Sequence, residues 1–264
     1  MRVLVTGSAG FVGKHTVTAL EARGDEVILC DKVIGDDLSY SGVAERLLHR
    51  DPDIVVHLAS SCSTPGSLMD PMGTYRDTVA TAANIIEAAR RKDVPVIVTS
   101  SVKARDGYTP YGAAKQMVET WALEYRHAYK LPIVINRPGT IYGPGQEGSP
   151  ESGWIAWFLK AKKEKLRVTV NGSGKQIRDL LHVSDYVRLL LMQIDDIEKY
   201  NKGYIYDVGG GSSNAVSVLD IVEYLRLKHE FGPERYGDAD IYVGHNDIPG
   251  WEPTIHWAGS ETFG

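Results

Sequence analysis

The first half of the chain alternates short apolar runs with longer stretches in which apolar residues recur every three to four positions. An apolar run without polar alternation is typical of a strand that is covered on both faces, whereas the longer period indicates a helix. We predict strands at residues 2–6, 26–31, 53–59, 94–99 and 132–136, a short strand near Val33 and Ile34, and helices at 11–23, 73–92 and 111–129. This alternation predicts βαβ units in an α/β protein with a doubly wound parallel sheet.

After residue 137 the pattern becomes less regular, and residues 138–151 are rich in glycine and proline, which is typical of a loop. Beyond this loop we predict helices at 153–163, 184–194 and 217–228 and strands at 167–170 and 204–208. The sequence therefore predicts two domains. Residues 1–137 carry the sheet, and residues 138–264 form mainly a small C-terminal lobe, of which some segments return to the sheet.

Composition excludes several classes of function. The chain has 264 residues, enough to bury a full core, and its net charge of −5 offers no basic surface for nucleic acid. No apolar run is as long as a membrane span, and the chain enters a strand directly after Met1, so we expect no leader peptide and a cytoplasmic location. We expect Cys30 and Cys62 to be free thiols. The histidines show no metal-ligand spacing, so no metal site is predicted.

A glycine-rich turn lies where the first predicted strand becomes the first helix. Gly7 permits the tight turn, Gly10 lets the backbone approach a pyrophosphate, and Gly13 lets the helix pack closely on the strand. The helix then presents free N–H groups and the positive end of its dipole to the phosphates. The pattern predicts a Rossmann-type dinucleotide-binding domain over residues 1–137.

Asp31 closes the second predicted strand, about twenty residues after the turn. A carboxylate at this position accepts hydrogen bonds from the ribose hydroxyls of NAD and repels the 2′-phosphate of NADP. Lys32 follows Asp31, and no arginine is adjacent to it. The sequence therefore favours NAD as the cofactor.

Tyr111 and Lys115 are four residues apart on a predicted helix, which places them one turn apart on the same face. A phenol has an unperturbed pKa of about 10. We expect the Lys115 ammonium and a positive nicotinamide ring to lower the pKa of Tyr111 to about 7. Ser101 follows the predicted strand 94–99, and its hydroxyl can donate a hydrogen bond to the substrate oxygen that Tyr111 would deprotonate. Together these residues predict the transfer of hydride and proton at a carbinol carbon.

These residues resemble the extended branch of the short-chain dehydrogenase/reductase superfamily, the NAD-dependent nucleotide-sugar epimerase/dehydratase family. The resemblance runs over nearly the whole chain, through the glycine turn, the Asp37-Leu38 pair, and residues 57–60, 137–145 and 178–185. It implies that Ser101, Tyr111 and Lys115 are catalytic. The cofactor contacts that it implies, with NAD as the cofactor, come from Gly7, Gly10, Phe11, Val12, Gly13, Asp31, Lys32, Asp37, Leu38, Leu58, Ala59, Ser60, Thr99, Tyr111, Lys115 and Pro138.

The resemblance also implies a substrate site made of Ser101, Thr140, Arg178 and Arg235, in which the two arginines clamp the diphosphate of a nucleotide sugar. The chain departs from the family at Thr140 and Thr78, where asparagine is usual. It departs again at Val102 and Lys103, because the 4,6-dehydratases carry an Asp-Glu pair there and the decarboxylases a glutamate. This difference disfavours elimination of water.

The function that we predict is an NAD-dependent nucleotide-sugar 4-epimerase acting through a transient 4-keto sugar. A nucleotide-4-keto-sugar reductase using NAD(P)H is the alternative, and a dinucleotide-sensing protein without turnover is a third hypothesis. The predicted partner is a nucleotide-diphosphate sugar, with no nucleic acid and no membrane. By resemblance, the chain forms a homodimer through a four-helix bundle built from helices 73–92 and 111–129.

Overall fold

The computed structural model of the protein describes residues 1–234 and 248–254. The strands of this part are β1 (Arg2–Thr6), β2 (Glu26–Cys30), β3 (Ile54–His57), β4 (Val96–Thr99), β5 (Ile133–Pro138), β6 (Thr140–Tyr142), β7 (Val168–Asn171), β8 (Ile177–His182), β9 (Ile205–Val208), β10 (Ala215–Ser217) and β11 (His229–Gly232). Its α-helices are α1 (Phe11–Ala22), α2 (Ser41–Leu48), α3 (Thr64–Met69), α4 (Pro71–Tyr75), α5 (Thr81–Lys92), α6 (Pro110–Tyr129), α7 (Trp154–Glu164), α8 (Val183–Asp195), α9 (Ile197–Tyr200) and α10 (Val218–Tyr224). A π-helical turn over Arg76–Ala80 joins α4 to α5.

The central sheet has six strands in the order β2-β1-β3-β4-β5-β9. The pairs β1–β2, β1–β3, β3–β4 and β4–β5 are parallel, and Thr6 at the end of β1 lies opposite both Cys30 and His57. The prediction of a doubly wound parallel α/β sheet is confirmed. Because the strand order reverses at β1, a crevice opens beyond the carboxyl ends of β1 and β3, and such crevices are where α/β sheets bind ligands.

A hydrophobic core lies between this sheet and helices α2, α5 and α6. It includes Leu4, Ile28, Val55, Val98 and Ile135 from the strands and Leu47, Ile85, Ile86, Val118 and Ala122 from the helices. Side chains alternate between the two faces of a strand, so Val3 and Val5, which are fully buried, face the other side. Asn136 of β5 and Gln193 of α8 exchange two hydrogen bonds of 2.7 and 2.9 Å, which satisfies two fully buried amides.

The chain divides into two compact units. Of the described residues, the first comprises 1–137, 187–206 and 249–251, and the second comprises 138–186, 207–234, 248 and 252–254. In the second unit β8 pairs in parallel with β6 and antiparallel with β10, while β7 pairs with β11. A separate core packs α7 and α10 against β7 through Phe158, Val170 and Ile221.

The short strand predicted near Val33 and Ile34 is wrong. Lys32–Ile34 is a 3-10 turn, because an Asp31 carboxylate oxygen accepts a 3.1 Å hydrogen bond from the Val33 amide and draws the chain into a turn. Gly35 then ends the turn at a φ of 95°.

The predicted helix 217–228 is also too long at its C-terminal end. The helix α10 ends at Tyr224, Arg226 takes a φ of 50°, and the chain continues as β11. Residues 138–151 are not wholly loop, because β6 lies within them. The strand β8 escaped prediction because its buried positions include the polar Arg178, Asp179 and His182, which hide its apolar pattern.

Asp179 is buried in β8, where one carboxylate oxygen accepts a 2.7 Å hydrogen bond from the Gly210 amide. Burial raises the pKa of this carboxyl to about 7. Both cysteines are free thiols, as predicted, with Cys30 buried and Cys62 exposed. None of the helices in the described ranges is long and apolar enough to cross a membrane.

Candidate active site

The glycine turn at the end of β1 is packed too tightly for side chains. Gly7 has a φ of 69°, and a Cβ atom there would lie 2.8 Å from the Ala59 backbone nitrogen. A Cβ on Gly13 would lie 2.0 Å from the Gly7 carbonyl oxygen. Gly10 is the N-cap of α1 and offers no side-chain cap, so the first amides of the helix face outward for an anion. The turn therefore fits the pyrophosphate of a dinucleotide.

Thr6 and His57 join the ends of β1 and β3 beneath this turn. The Thr6 hydroxyl oxygen accepts hydrogen bonds of 3.2 Å from the amides of Leu58 and Ala59. Its proton is therefore directed to His57 Nδ1, 2.8 Å away, which places the imidazole proton on Nε2. Burial and the nearby Lys115 ammonium lower the pKa of His57 to about 3, so the ring is neutral.

Asp31 stands at the end of β2 beside the same turn. Its carboxylate accepts a 3.0 Å hydrogen bond from the Ala9 amide, which ties the acid to the glycine loop. The Lys32 ammonium lies 2.7 Å from Asp77 and 3.5 Å from Asp37, so its charge is shared by two carboxylates. This acidic surround disfavours a 2′-phosphate and fits the ribose of NAD.

Other predicted cofactor residues lie in the first unit, at or after the ends of its elements. Phe11 and Val12 form the first turn of α1. Leu38 is buried, and Asp37 accepts a 2.9 Å hydrogen bond from the Ser39 amide. Leu58 and Ala59 follow β3 directly, at the switch point of the sheet.

The structure brings Ser101, Tyr111 and Lys115 together. Ser101 follows β4 and caps a 3-10 turn over Val102–Ala104. Tyr111 and Lys115 lie one turn apart at the start of α6, which Thr109 caps through the Gly112 amide at 3.1 Å. Tyr111 is partly exposed, and Ser101 donates a hydrogen bond to its phenol oxygen.

The Lys115 side chain is buried and fixed at its tip. Its ammonium donates hydrogen bonds of 2.9 Å to the Ser60 hydroxyl and to the Thr99 carbonyl oxygen. Ser60 and Thr99 had been assigned to the cofactor by resemblance. In the structure they orient the lysine, which a sequence pattern cannot reveal because Ser60 lies 55 residues from Lys115.

The chain alone does not lower the pKa of Tyr111. Burial raises it to about 12, although the hydrogen bond from Ser101 opposes this shift. Burial also lowers the pKa of Lys115 to about 8. In the chain alone, the desolvation of the phenol outweighs the stabilisation of its phenolate by the protein's own groups. The value near 7, which includes the charge of the nicotinamide ring, stays a prediction.

The described residues predicted to bind substrate lie in the second unit, apart from Ser101 in the first. Thr140 lies in β6 and Arg178 in β8, both in the second unit, and Pro138 ends β5 at the boundary between the units. Arg178 is buried and donates a 2.8 Å hydrogen bond to the Ile177 carbonyl. Arg235 lies outside the described residues. Within the described ranges, no group of three or more potential ligand side chains could hold a metal ion.

The sequence profile of the NAD dependent epimerase/dehydratase family matches residues 3–209. The chain belongs to this family. It is therefore an enzyme of the extended short-chain dehydrogenase/reductase type with NAD as its cofactor, as the sequence predicted.

Relatives with different reactions resemble the chain almost equally. It is 24% identical to a CDP-paratose 2-epimerase of Salmonella typhi, over 98% of this chain and 94% of the relative. It is 26% identical to a putative UDP-glucose 4-epimerase of Methanocaldococcus jannaschii, over 96% of this chain and 93% of the relative. The crystal structure of Thermus thermophilus UDP-glucose 4-epimerase in complex with NAD matches with a TM-score of 0.85 and 26% identity, over 97% and 95% of the two chains.

Proposed function

We propose that this enzyme is a nucleotide-sugar 4-epimerase. The observation that carries the proposal is the arrangement of the Tyr111 phenol, which accepts a hydrogen bond from Ser101 and lies one helical turn from the buried Lys115 ammonium. These groups border the crevice into which the glycine turn of β1 faces. A sugar hydroxyl placed there would meet a proton acceptor and a hydrogen-bond donor together.

In this proposal Tyr111 removes the proton from the C4 hydroxyl of the sugar and later returns it to the opposite face of a 4-keto sugar. Ser101 holds the reacting oxygen, and Lys115 stabilises the phenolate. The glycine turn and Asp31 would hold NAD, which would supply the acceptor and donor of the hydride and a positive charge that favours the phenolate. That charge supplies stabilisation that the protein alone lacks, because the pKa of Tyr111 is raised to about 12 by burial in the chain alone.

The residues after Ser101 support epimerisation over dehydration. Val102 is buried, and Lys103 belongs to the 3-10 turn that Ser101 caps through a 3.3 Å hydrogen bond from the Lys103 amide. Neither side chain is an acid, so this turn supplies no group to protonate a leaving hydroxyl. The relatives include UDP-glucose 4-epimerases, alongside a CDP-paratose 2-epimerase and UDP-glucuronic acid decarboxylases of similar identity, so the choice rests on the residues after Ser101.

The substrate assignment is a nucleotide-diphosphate sugar. Arg178, Arg235 and Thr140 are its proposed ligands, because the planar guanidinium of arginine matches phosphate oxygens in a bidentate manner. In this proposal residues 1–137 hold mainly NAD and residues 138–264 mainly the nucleotide sugar.

The alternative is a nucleotide-4-keto-sugar reductase, which the compact segment between β2 and β3 favours. That segment carries only the short helix α2 and a 3-10 turn. A non-catalytic dinucleotide sensor is disfavoured by the intact set of Ser101, Tyr111 and Lys115.

The proposal is tested by incubating the purified enzyme with a panel of nucleotide sugars, without added NAD, and separating the products by chromatography. We expect interconversion of a pair that differs at C4, because the cofactor is regenerated in each cycle. Stoichiometric consumption of NADH with a 4-keto substrate would instead establish the reductase. Binding of NAD without turnover of any substrate would support the hypothesis of a non-catalytic dinucleotide sensor.

We also propose a homodimer. The resemblance implies a bundle of helices 73–92 and 111–129, and the exposed apolar residues favour the part of that surface formed by α6 with its neighbours α3 and α4. Helices α3 and α4 pack against α6, and this face leaves large apolar side chains exposed: Met69 by 87%, Met72 by 71%, Met117 by 52% and Trp121 by 44%. Trp121→Glu combined with Met117→Glu is expected to convert the dimer to a monomer in sedimentation at micromolar concentration. The control Tyr40→Glu, at another exposed aromatic residue, is expected to remain dimeric. A monomeric wild-type enzyme would disprove the assembly.

A further inference from the structure

A third residue continues the helical spacing of Tyr111 and Lys115. Glu119 lies one turn beyond Lys115 on α6, and its side chain is only 3% exposed. A carboxylate so deeply buried is costly unless charged or polar donors surround it. The family resemblance assigned no role to this residue.

The carboxylate of Glu119 connects three elements that carry the active site. Arg137, in β5, donates to it from Nε at 2.7 Å and from Nη2 at 2.6 Å, in a bidentate pair. Ser100, directly after β4, donates its hydroxyl at 2.5 Å. The Ser100 amide in turn donates to the Asn136 carbonyl at 2.7 Å. The carboxylate thus ties the end of β4, helix α6 and strand β5 together, immediately beside Ser101.

These contacts fix both halves of the proton-transfer group. Ser100 is the residue before Ser101, so its hydrogen bond limits where the Ser101 hydroxyl can lie. Glu119 is on the face of α6 that carries Tyr111 and Lys115, so the same carboxylate limits how the helix can rotate or slide. The distance between Ser101 and the phenol therefore depends on Glu119, although Glu119 is not itself among the reacting groups.

The charges around Lys115 give the carboxylate a second effect. His57 faces it from β3 and is neutral, the Cys62 thiol approaches from the segment after β3, and Tyr111 and Glu119 lie on its own helix. Arg137 stands behind Glu119 on β5. Burial lowers the pKa of Lys115 to about 8, and electrostatic interactions with Cys62 and Glu119 oppose that shift. Arg137 is partly buried, and removal of the Glu119 carboxylate alone would leave the positive charge of its guanidinium without this ion-pair partner.

We propose that Glu119 is a positioning residue, which aligns Ser101 with the phenol of Tyr111 and places a buried carboxylate one helical turn from Lys115, with Ser100 and Arg137 as its partners. This inference rests on the proposed roles of Ser101, Tyr111 and Lys115. An ordinary buried ion pair would affect only the stability of the fold. In this proposal, the pair Glu119–Arg137 also affects the geometry and charge of the reacting groups.

The test follows the titration of Lys115 in the NAD-loaded enzyme by NMR of isotope-labelled lysine side chains, with Lys115→Met to assign the signal. In Glu119→Gln the midpoint is expected to fall by about one pH unit. In the double variant Glu119→Gln with Arg137→Met, the Lys115 midpoint is expected to return most of the way to the wild-type value, because both charges of the ion pair have been removed. Glu119→Asp, which keeps the charge, is expected to stay near the wild-type midpoint.

Two further variants separate alignment from charge. Ser100→Ala removes one donor to the carboxylate and is expected to lower kcat about 10-fold with little change in KM, because alignment acts on the reacting complex. Glu87→Gln is the matched control. Its carboxylate is likewise bound by arginine, here by Arg90 and Arg91, but it lies on α5, so the variant is expected to leave both the Lys115 midpoint and kcat unchanged.

An unchanged Lys115 midpoint in Glu119→Gln, or a midpoint in the double variant below that of the single one, would overturn the charge effect. If Glu119→Gln does not fold, Glu119→Asp and Ser100→Ala carry the test, and a kcat unchanged in both would overturn the alignment. The lysine titration needs no turnover. A failed search for epimerase substrates would therefore refute the proposed function without deciding this inference.

Discussion

The glycine turn at β1 and the surroundings of α6 both belong to the proposed active site, but they are held by different forces. The conformation of the turn depends on the absence of side chains. A Cβ on Gly13 would lie 2.0 Å from the Gly7 carbonyl oxygen, so only glycine allows the backbone segments to pack this closely. The surroundings of α6 are fixed by buried charges, with Lys115 tied to Ser60 and Glu119 tied to Arg137. One region is a steric template, and the other is an electrostatic one.

This difference predicts how each region fails. The steric region is disrupted when a side chain is added to one of its glycines, at any pH, and we expect NAD binding to be lost as a result. An electrostatic template fails when a charge is removed or neutralised, so its failure depends on pH and leaves the cofactor site intact. In the proposed function, the cofactor is held by the sterically fixed glycine turn, and the proton is moved by groups whose pKa values depend on buried charges.

The strongest contrast is expected from Tyr111→Phe. Loss of the phenol hydroxyl should lower kcat by about 10²- to 10⁴-fold, since it removes the general acid and base. Bound NAD, measured by its release from denatured protein, should stay near the wild-type amount because the glycine turn is untouched. Tyr108→Phe, at an exposed tyrosine three residues earlier, is the control and should retain full activity. Activity that survived the loss of the Tyr111 hydroxyl would remove this residue from the mechanism.

Gly13→Ala tests the steric region. The added methyl group overlaps the Gly7 carbonyl, so we expect a loss of about 1–3 kcal/mol in the free energy of unfolding and a loss of bound NAD. Gly42→Ala is the matched control, because nothing lies within 4 Å of its added Cβ. Its stability should stay within about 0.5 kcal/mol of wild type in urea unfolding. Equal effects at the two glycines would contradict the steric argument.

A pH series tests the joint beneath the turn. His57 has a pKa of about 3 in the folded chain because of burial, against about 6.5 when unfolded. Below pH 6.5 the unfolded chain therefore binds a proton that the folded one does not, and stability falls as pH decreases. We expect a loss of about 2 kcal/mol from this group between pH 6.5 and 5.

The contribution of His57 is isolated by comparing wild type with His57→Asn in urea unfolding at both pH values. Asp179 acts in the opposite direction, since its raised pKa favours the folded state at low pH, but it acts alike in both proteins. The stability difference between the two proteins should shift in favour of His57→Asn as pH falls. A difference that is independent of pH would show that His57 is not held neutral.

The smallest effect is expected from Glu87→Gln, which removes a partly exposed carboxylate bound to Arg90 and Arg91. Solvent weakens such pairs, so stability should fall by about 1 kcal/mol or less, and the difference should shrink in high salt. Glu119→Gln, by contrast, should lower stability by several times as much in either salt, because its carboxylate is buried. Similar losses in the two variants would remove the distinction between the two sites.

Local sequence determined the elements whose signals lie within a few residues. The spacing of Gly7, Gly10 and Gly13 marks a strand-to-helix turn, and the four-residue interval from Tyr111 to Lys115 fixes a common helix face through the helical period. These signals placed the family, the cofactor and the sheet. They failed at β8, where buried polar residues interrupt the apolar pattern, and at Lys32–Ile34, where the Asp31 side chain bends the chain.

Tertiary structure alone decided which distant groups meet. Thr6 bonds to His57 across 51 residues, and Lys115 reaches Ser60 across 55. It also decided the protonation of the site, since burial raises the pKa of Tyr111 and lowers that of Lys115, and burial depends on every element packed around them. A sequence records which chemical groups are available, but the dielectric surroundings and the partners of each group arise only when the strands and helices come together.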